Sequence, residues 1–242
     1  MIELVVAALI AIIASAAQAL TGFGFALVLV PLLGLLFAPK TVVMISLSLG
    51  LVCKLPLLVH SWRQVEVARI APLCVAAILG SVVGTQALIH TDPKTLRLGI
   101  GIVVVALGIP LLLDRRWPVR REGLAALGVG LLSGALNGAT SMGGPPVVLL
   151  GANQSWSKES FRANLTAFFV VSNVASLGLL VAAGAFPVGV LILDLELAPG
   201  VALGLVAGNV LFGRLPVAAF RRLVVLLVIV MGCVSIWTGL RA

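Results

Sequence analysis

Two glycine-rich interruptions inside long apolar runs are the parts of this sequence that could do chemistry. The first is Thr21-Gly22-Phe23-Gly24-Phe25, and the second extends from Asn137 to Pro146. Glycine is unfavourable inside a helix and Pro146 cannot continue a helical hydrogen-bond ladder, so each run is predicted to form two shorter helices joined at a break. A helix that starts within a membrane presents N–H groups with partial positive charge, which favour an anion.

The polar residues at the breaks could offer such an anion further uncharged donors. Hydroxyl or amide groups are contributed by Thr21, Asn137, Thr140 and Ser141. The predicted substrate-binding residues are Thr21, Gly22, Gly24, Lys54, Asn137, Gly138, Thr140, Ser141, Gly143, Gly144 and Asn173. The alternative interpretation of glycines in apolar segments is close helix packing. We favour packing for Gly80, Gly84, Gly204 and Gly208.

Lys54 lies well inside the apolar segment 42–59, which contains no other charged residue. A cation at that depth is costly unless it is paired or faces a cavity. Two interpretations compete: snorkelling toward the loop at 60–69, and binding of the anion. We expect binding, because an anionic substrate needs a counter-charge and Asn173 lies at roughly the matching position of the second half.

The composition excludes a soluble or a disordered protein. Of the 242 residues, 61% are hydrophobic and 10% are charged, and the mean hydropathy is +1.25. Soluble domains carry about 25% charged residues, so the chain is predicted to be an all-α polytopic membrane protein. The net charge of +8 comes from basic residues between the apolar runs, which are typical of cytoplasmic loops. Nucleic acid is therefore not an expected partner.

No pattern of metal-binding or catalytic residues is present in the sequence. Cys53, Cys74 and Cys233 lie in apolar runs without a CxxC pair, and His60 and His90 each stand alone. We interpret the cysteines as small buried hydrophobes and expect no metal and no cofactor. The apolar runs also contain no Asp/Glu/His constellation, so we predict that the protein is not an enzyme.

The chain divides into two halves that resemble each other. We predict an N-terminal transmembrane repeat at 1–114, a C-terminal repeat at 123–242 and a basic cytoplasmic linker at 115–122. The matches between the halves are Ala19-Leu20-Thr21-Gly22 with Ala135-Leu136-Asn137-Gly138, at an offset of 116, and Gly80 and Gly84 with Gly204 and Gly208, at an offset of 124.

The uncharged opening run at 4–39 is too long for a single crossing. Its helix would reach about 54 Å, whereas the hydrocarbon core is about 30 Å thick. If each opening run enters the membrane and returns, eleven basic residues fall on the cytoplasmic side and four outside, as the positive-inside rule requires. This topology has five elements per half, and an odd number makes the repeats inverted. The predicted fold has 8–10 transmembrane elements with broken helices in each half.

A later apolar segment is predicted to begin at about residue 194. Asp194 and Glu196 then lie at its start, at a membrane interface where both face water.

The two breaks resemble the paired glycine-rich signatures of the TauE/SafE sulfite-exporter family. The similar residues are Thr21-Gly22-Phe23-Gly24 with Pro31, and the run from Asn137 to Pro146. The similarity covers the whole chain in length, duplicated layout and motif position. The first motif departs from the family pattern, because Phe25 and Ala26 stand where glycines are common. The resemblance implies transport of sulfur-containing anions such as sulfite or organosulfonates.

We therefore predict a secondary transporter or facilitator in the inner (cytoplasmic) membrane. It would move sulfite, a sulfonate or a related organosulfur anion by alternating access. Its partners would be this small anion and the lipid bilayer, and a homo-oligomer is left open. The alternatives are a transporter of a non-sulfur small organic anion and a structural membrane subunit.

Overall fold

The structure is a computed structural model that describes residues 2–112, 122–154 and 156–212, together with 229, 233, 236 and 237. Within these residues the regular structure is helical, without a strand. The helices are α1 (Ile2–Thr21), α2 (Gly24–Leu33), α3 (Pro39–Ser61), α4 (Val67–His90), α5 (Pro93–Leu112), α6 (Glu122–Thr140), α7 (Gly144–Asn153), α8 (Lys158–Ala182) and α9 (Val188–Phe212), with a 3₁₀ turn at Trp62–Gln64.

Six of the described helices are long and apolar enough to cross a membrane. The prediction of an all-α, multi-pass membrane protein is therefore confirmed. The candidate spans are Ile2–Thr21, Pro39–Gln64, Val67–His90, Gly123–Thr140, Glu159–Ala182 and Val188–Val210. The predicted linker at 115–122, apart from Glu122, lies outside the described residues, as does most of residues 223–240, the last apolar run of the sequence.

Both opening runs are broken where the sequence predicts. α1 is followed after a two-residue interruption by the ten-residue α2, and α6 is followed after three residues by the ten-residue α7. In each case the chain folds back on itself. Gly24 packs against Ala17 of α1, and the hydroxyl of Ser133 in α6 donates to the carbonyl of Gly143. A helix of this length spans about 15 Å, roughly half the hydrocarbon core, so neither α2 nor α7 is long enough to cross the membrane alone.

The long helices of the two halves pack against each other in a reciprocal way. α4 of the first half packs on α6 of the second, and α9 of the second half packs on α1 of the first. The contacts run through glycines, whose missing Cβ lets the two backbones touch. The close pairs are Gly80 with Leu131, Gly84 with Ala135, Gly204 with Ile12, and Gly208 with Ala16. The packing interpretation of these four glycines is confirmed.

α3 and α8 lie side by side and run in opposite directions. The amide Nδ2 of Asn173 donates to the carbonyl of Leu47 over 2.9 Å. At the other end, Oδ1 of Asn164 accepts from the backbone N–H of Glu66, just beyond α3, over 2.8 Å. This antiparallel pair forms the centre of the molecule, because both helices contribute residues to the site described below.

α9 begins at Val188, earlier than the predicted start at 194. The apolar residues after Pro187 continue the helix toward its N-terminus, so Asp194 lies in its second turn. Asp194 is half-buried beside Ser48 of α3, whereas Glu196 is exposed. The expectation that both carboxylates face water at an interface is therefore wrong for Asp194.

Candidate functional site

The first break is closed by side chains of its own hairpin. Thr21 Oγ1 accepts from the N–H groups of Phe23 and Gly24 over 3.3 and 3.1 Å. Gln18 Oε1 accepts from the N–H of Phe25 over 3.2 Å. Because these donors at the start of α2 are already bonded, they have little left to offer an anion.

The second break has a different arrangement. Thr140 Oγ1 accepts from the N–H of Met142 over 3.2 Å. α7 then continues through Pro145 and Pro146, which carry no N–H. Ser141 has a positive φ of 62°, and its hydroxyl lies 2.9 Å from that of Ser46 in α3. The start of α7 therefore also supplies few N–H groups, but the Ser141 hydroxyl contacts a residue outside its own hairpin.

The backbone at the two breaks matches at an offset of 119. Gly22 and Ser141 both have a left-handed φ, of 83° and 62°. The N–H of Gly22 donates to the carbonyl of Gln18, and that of Ser141 to the carbonyl of Asn137, each over 2.7 Å. This alignment lies three residues from the offset of 116 inferred from the sequence. It pairs Gln18 with Asn137, Thr21 with Thr140, Gly22 with Ser141 and Lys54 with Asn173.

Lys54 is the charged residue at the meeting point of the two breaks. Its side chain is only 4% exposed, and its Nζ lies 5.7 Å from the ring centroid of Phe25 and 5.6 Å from that of Phe169. Both distances allow a cation–π attraction. Among the residues that the structure describes, no carboxylate lies within salt-bridge distance of Lys54.

A small cavity of about 10 Å³ lies beside Lys54, with room for about one water molecule. Its lining comes from both breaks and from α3 and α8. The lining residues are Phe23, Ala26, Leu27, Lys54, Ser141, Met142, Gly144 and Phe169. Both hairpins and the central helix pair therefore converge on one buried cation.

A second nitrogen donor lies next to Lys54. Asn173 Nδ2 bonds the carbonyl of Leu47, and Asn173 Oδ1 accepts from Asn137 Nδ2 over 3.1 Å. A Cβ atom on Gly50 would lie 2.9 Å from Lys54 Nζ and 3.2 Å from Asn173 Nδ2. The ammonium and the amide thus lie in the space that a side chain on Gly50 would occupy.

The network has one unsatisfied acceptor at its edge. Asn137 Oδ1 is buried and has no hydrogen-bond partner among the described residues. A buried polar atom without a partner is costly, and such atoms collect at sites where a ligand or an ordered water completes the bonding. The position of Asn137, one hydrogen bond from Asn173, connects this atom to the Lys54 centre.

These features agree with the comparison with known protein families. The family model for the sulfite exporter TauE/SafE matches residues 7–234. The chain belongs to the TauE/SafE family. No curated protein and no solved structure matched it. As a member of a transporter family with several apolar helices, this TauE/SafE protein is a membrane transport protein.

The structure brings part of the predicted TauE/SafE site together. Lys54, Ser141 and Gly144 line the central cavity, and Asn137 and Asn173 lie in the adjoining network. The other predicted residues have contacts inside or behind the hairpins. Thr21 and Thr140 cap the breaks, Gly22 lies against Arg162, Gly24 against Ala17, Gly138 against Ser81 and Thr85, and Gly143 against Ser133.

Sequence reasoning missed several residues of this centre: Gln18, Ser46, Gly50, Phe25 and Phe169. The offset of 119 would have pointed to one of them, since it pairs Gln18 with the predicted Asn137. Phe25 was noted only as a departure from a glycine pattern. Its ring against Lys54 gives that departure a physical role.

Proposed function

We propose that this TauE/SafE protein moves a small sulfur-containing anion, such as sulfite or a sulfonate, across the cytoplasmic membrane. The observation that carries the proposal is the buried Lys54 ammonium, which faces a cavity shared by both breaks and has no carboxylate partner among the described residues. A buried cation of this kind is stabilised when an anion arrives beside it.

The groups around the cavity suit a compact oxyanion. Lys54 offers an ammonium with three donors, and Ser141 and Asn173 add a hydroxyl and an amide. The faces of Phe25 and Phe169 attract the ammonium weakly while the site is empty. An entering anion replaces that attraction with a stronger, charge-assisted contact. The cavity holds about one water molecule, so sulfite would enter as the lining helices move apart.

The relation between α3 and α8 supports inverted repeats. The two helices match at the offset of 119 that also relates the breaks, and they run antiparallel. Matching helices of opposite direction are expected when two repeats have opposite topology. Such a scaffold can rock around a central site, so alternating access is part of the proposal. In this proposal, that motion exposes Lys54 to each side of the membrane in turn.

Export of the anion needs no coupling ion in this scheme. An inside-negative potential of 100 mV drives each negative charge outward by about 2.3 kcal/mol. Besides the anion, the protein's partner would be the lipid bilayer of the inner membrane. A homo-oligomer remains an open alternative to the single chain as the transporting unit.

Counterflow by the purified protein in liposomes tests the proposal. We expect uptake of labelled sulfite or a small sulfonate that exceeds uptake of acetate or lactate. Lys54→Met keeps the apolar stem and removes the charge, so apparent affinity should fall at least about tenfold, or 1.4 kcal/mol. Lys94→Met is the matched control, because Lys94 is exposed, and it should transport normally.

The outcomes separate the alternatives. Preference for acetate or lactate would favour a transporter of non-sulfur organic anions. Absence of any anion transport by the folded, purified protein would favour a structural subunit. Unchanged affinity in Lys54→Met would mean that the ammonium is a structural cation rather than the anion's partner.

A further inference from the structure

An open groove of about 760 Å³ lies between α3, α8 and α9, apart from the central cavity. This volume is within the usual range for small-molecule sites. Most of its wall is apolar, and its polar groups come from three different helices. The lining residues are Pro56, Leu57, His60, Arg162, Ala202, Leu205, Val206 and Asn209.

The basic group of the groove is held in a fixed position. The guanidinium of Arg162 donates from Nη2 to Oδ1 of Asn209 over 2.9 Å. His60 lines the same groove from the last turn of α3. A guanidinium presents several N–H donors in one plane, which suits a carboxylate, sulfonate or phosphate group. The wall is therefore complementary to a small anion.

Two helices lead from this groove to Lys54. Lys54 and Leu57 are three residues apart on one face of α3, about 4.5 Å along its axis, and Leu57 lines the groove while Lys54 lines the cavity. On α8, Arg162 lines the groove and Phe169 lines the cavity two turns later. Leu57 is only 5% exposed, so it is a buried apolar residue of the groove wall one helical turn from Lys54.

The groove also touches the first break from behind. A Cβ atom on Gly22 would lie 3.4 Å from Cα and Cγ of Arg162. A movement of the first hairpin would therefore be transmitted directly to the groove wall. In the charge-based topology, Arg162 lies on the cytoplasmic side, so the groove opens toward the compartment from which an exporter takes its substrate.

From these contacts we infer that the groove is a second anion site, the cytoplasmic vestibule in which Arg162 captures a free sulfonate or sulfite before it passes Leu57 to Lys54. This inference rests on the proposed function. The anionic headgroup of a membrane lipid has the same chemistry. We favour the free anion because the groove wall continues along α3 to a second cation, the buried Lys54. A lipid headgroup bound in the groove would not need a path to Lys54.

Reaction of a cysteine placed in the groove tests the inference without requiring transport. The background lacks the native Cys53, Cys74 and Cys233, and Val206→Cys supplies the reporter on the groove wall. In nanodiscs of zwitterionic lipid, when each rate is divided by the reagent's rate with a free thiol in solution, the anionic sulfonatoethyl methanethiosulfonate should react faster than the cationic trimethylammonioethyl reagent. Methanesulfonate should slow the anionic reaction.

Removing the charge of Arg162 gives the decisive comparison. Arg162→Gln should lower the rate with the anionic reagent about fivefold, as expected for loss of one nearby charge, and should not lower the rate with the cationic reagent. Arg63→Gln is the control, because Arg63 is also basic and exposed at the end of α3 but does not line the groove. It should leave both rates unchanged.

Three results would overturn the inference. These are equal rates for the two reagents relative to a free thiol, an equal effect of Arg63→Gln, and loss of labelling in nanodiscs of anionic lipid without protection by methanesulfonate. The last result would assign the groove to a lipid headgroup. If Lys54→Met transports normally while the groove still prefers the anionic reagent, the role of Lys54 fails and the vestibule stands.

Discussion

The two breaks have the same backbone path but different uses for their polar groups. At the first break, Thr21 and Gln18 accept hydrogen bonds from the N–H groups of their own hairpin. At the second break, Thr140 likewise caps its own hairpin. However, Asn137, which matches Gln18, bonds Asn173 of α8, and Ser141, which matches Gly22, pairs with Ser46 of α3. Two breaks with matching backbone geometry therefore form an asymmetric site.

The charge is distributed between the halves in the same unequal way. The first half supplies the ammonium of Lys54, and the second half supplies an amide at the matching Asn173. One cation with neutral donors around it can release an anion more readily than two cations could. Similar glycine-mediated packing on the two sides of the molecule therefore accompanies different residues at the cavity.

The shared packing gives the largest expected effect. Gly84→Ala should destabilise the protein by about 3 kcal/mol, because the new methyl group overlaps the carbonyl of Ala135 and separates α4 from α6. Gly208→Ala should cost less, about 1 kcal/mol, since its methyl group would lie 2.7 Å from the carbonyl of Ala16. The thermal unfolding midpoint in detergent measures both.

Gly178→Ala is the matched control for these variants. Gly178 lies in α8 with nothing near the added methyl group, so alanine should be neutral or stabilising by up to about 1 kcal/mol. If Gly84→Ala were as stable as Gly178→Ala, the close contact between α4 and α6 would not hold the halves together.

Exchanging the two residues that flank Gly50 tests whether the halves are interchangeable at the site. Lys54→Asn alone should weaken apparent affinity for the anion at least about tenfold. Adding Asn173→Lys returns the charge on the other side of the same space and should restore affinity to within about threefold of the native protein. Counterflow in liposomes measures both variants.

The matched charge control for the exchange is Lys94→Asn, which removes an exposed lysine and should leave affinity unchanged. Absence of recovery in the folded double variant would show that the position of the charge matters more than its presence. That outcome would argue that only the packing of the two halves is related, and that their sites are not.

Much of the fold was accessible from the sequence because it depends on composition and on strong local signals. Apolar length predicts the long helices, and the glycine and proline residues predict both breaks. The start of α9 was missed because charge was used as a boundary. Asp194 follows six apolar residues that continue the helix, and a partly buried carboxylate beside Ser48 can be tolerated there.

The site was less accessible because its geometry depends on which helices meet. Lys54 was predicted from its depth, but nothing local indicates that rings from α2 and α8 lie over it. The breaks were assigned free N–H groups, whereas at the first break Thr21 and Gln18 occupy them. Thr and Gln side chains compete with a ligand for such donors through short-range hydrogen bonds. Only the folded structure shows that the side chains occupy them.

The smallest predicted effect concerns the left-handed residue of each break. Gly22 adopts its φ of 83° without a steric cost, whereas Ser141 holds a φ of 62° at a cost of about 1 kcal/mol. Ser141→Gly and Ser141→Ala lose the same hydroxyl, but only glycine relieves the backbone. The glycine variant should therefore be about 1 kcal/mol more stable than the alanine variant by thermal unfolding in detergent, and both should transport the anion more weakly than the native protein to the same extent.

Gly22→Ala is the matched variant in the first half and should lose about 1 kcal/mol of stability for the same backbone reason. If the stability lost in Gly22→Ala equals the stability difference between Ser141→Gly and Ser141→Ala, the two breaks share one conformation. Ser141 would then be retained despite its backbone strain because its hydroxyl bonds Ser46 and lines the cavity. Unequal transport by the two Ser141 variants would instead assign the role of this position to its backbone, and the difference between the breaks would no longer rest on the hydroxyl.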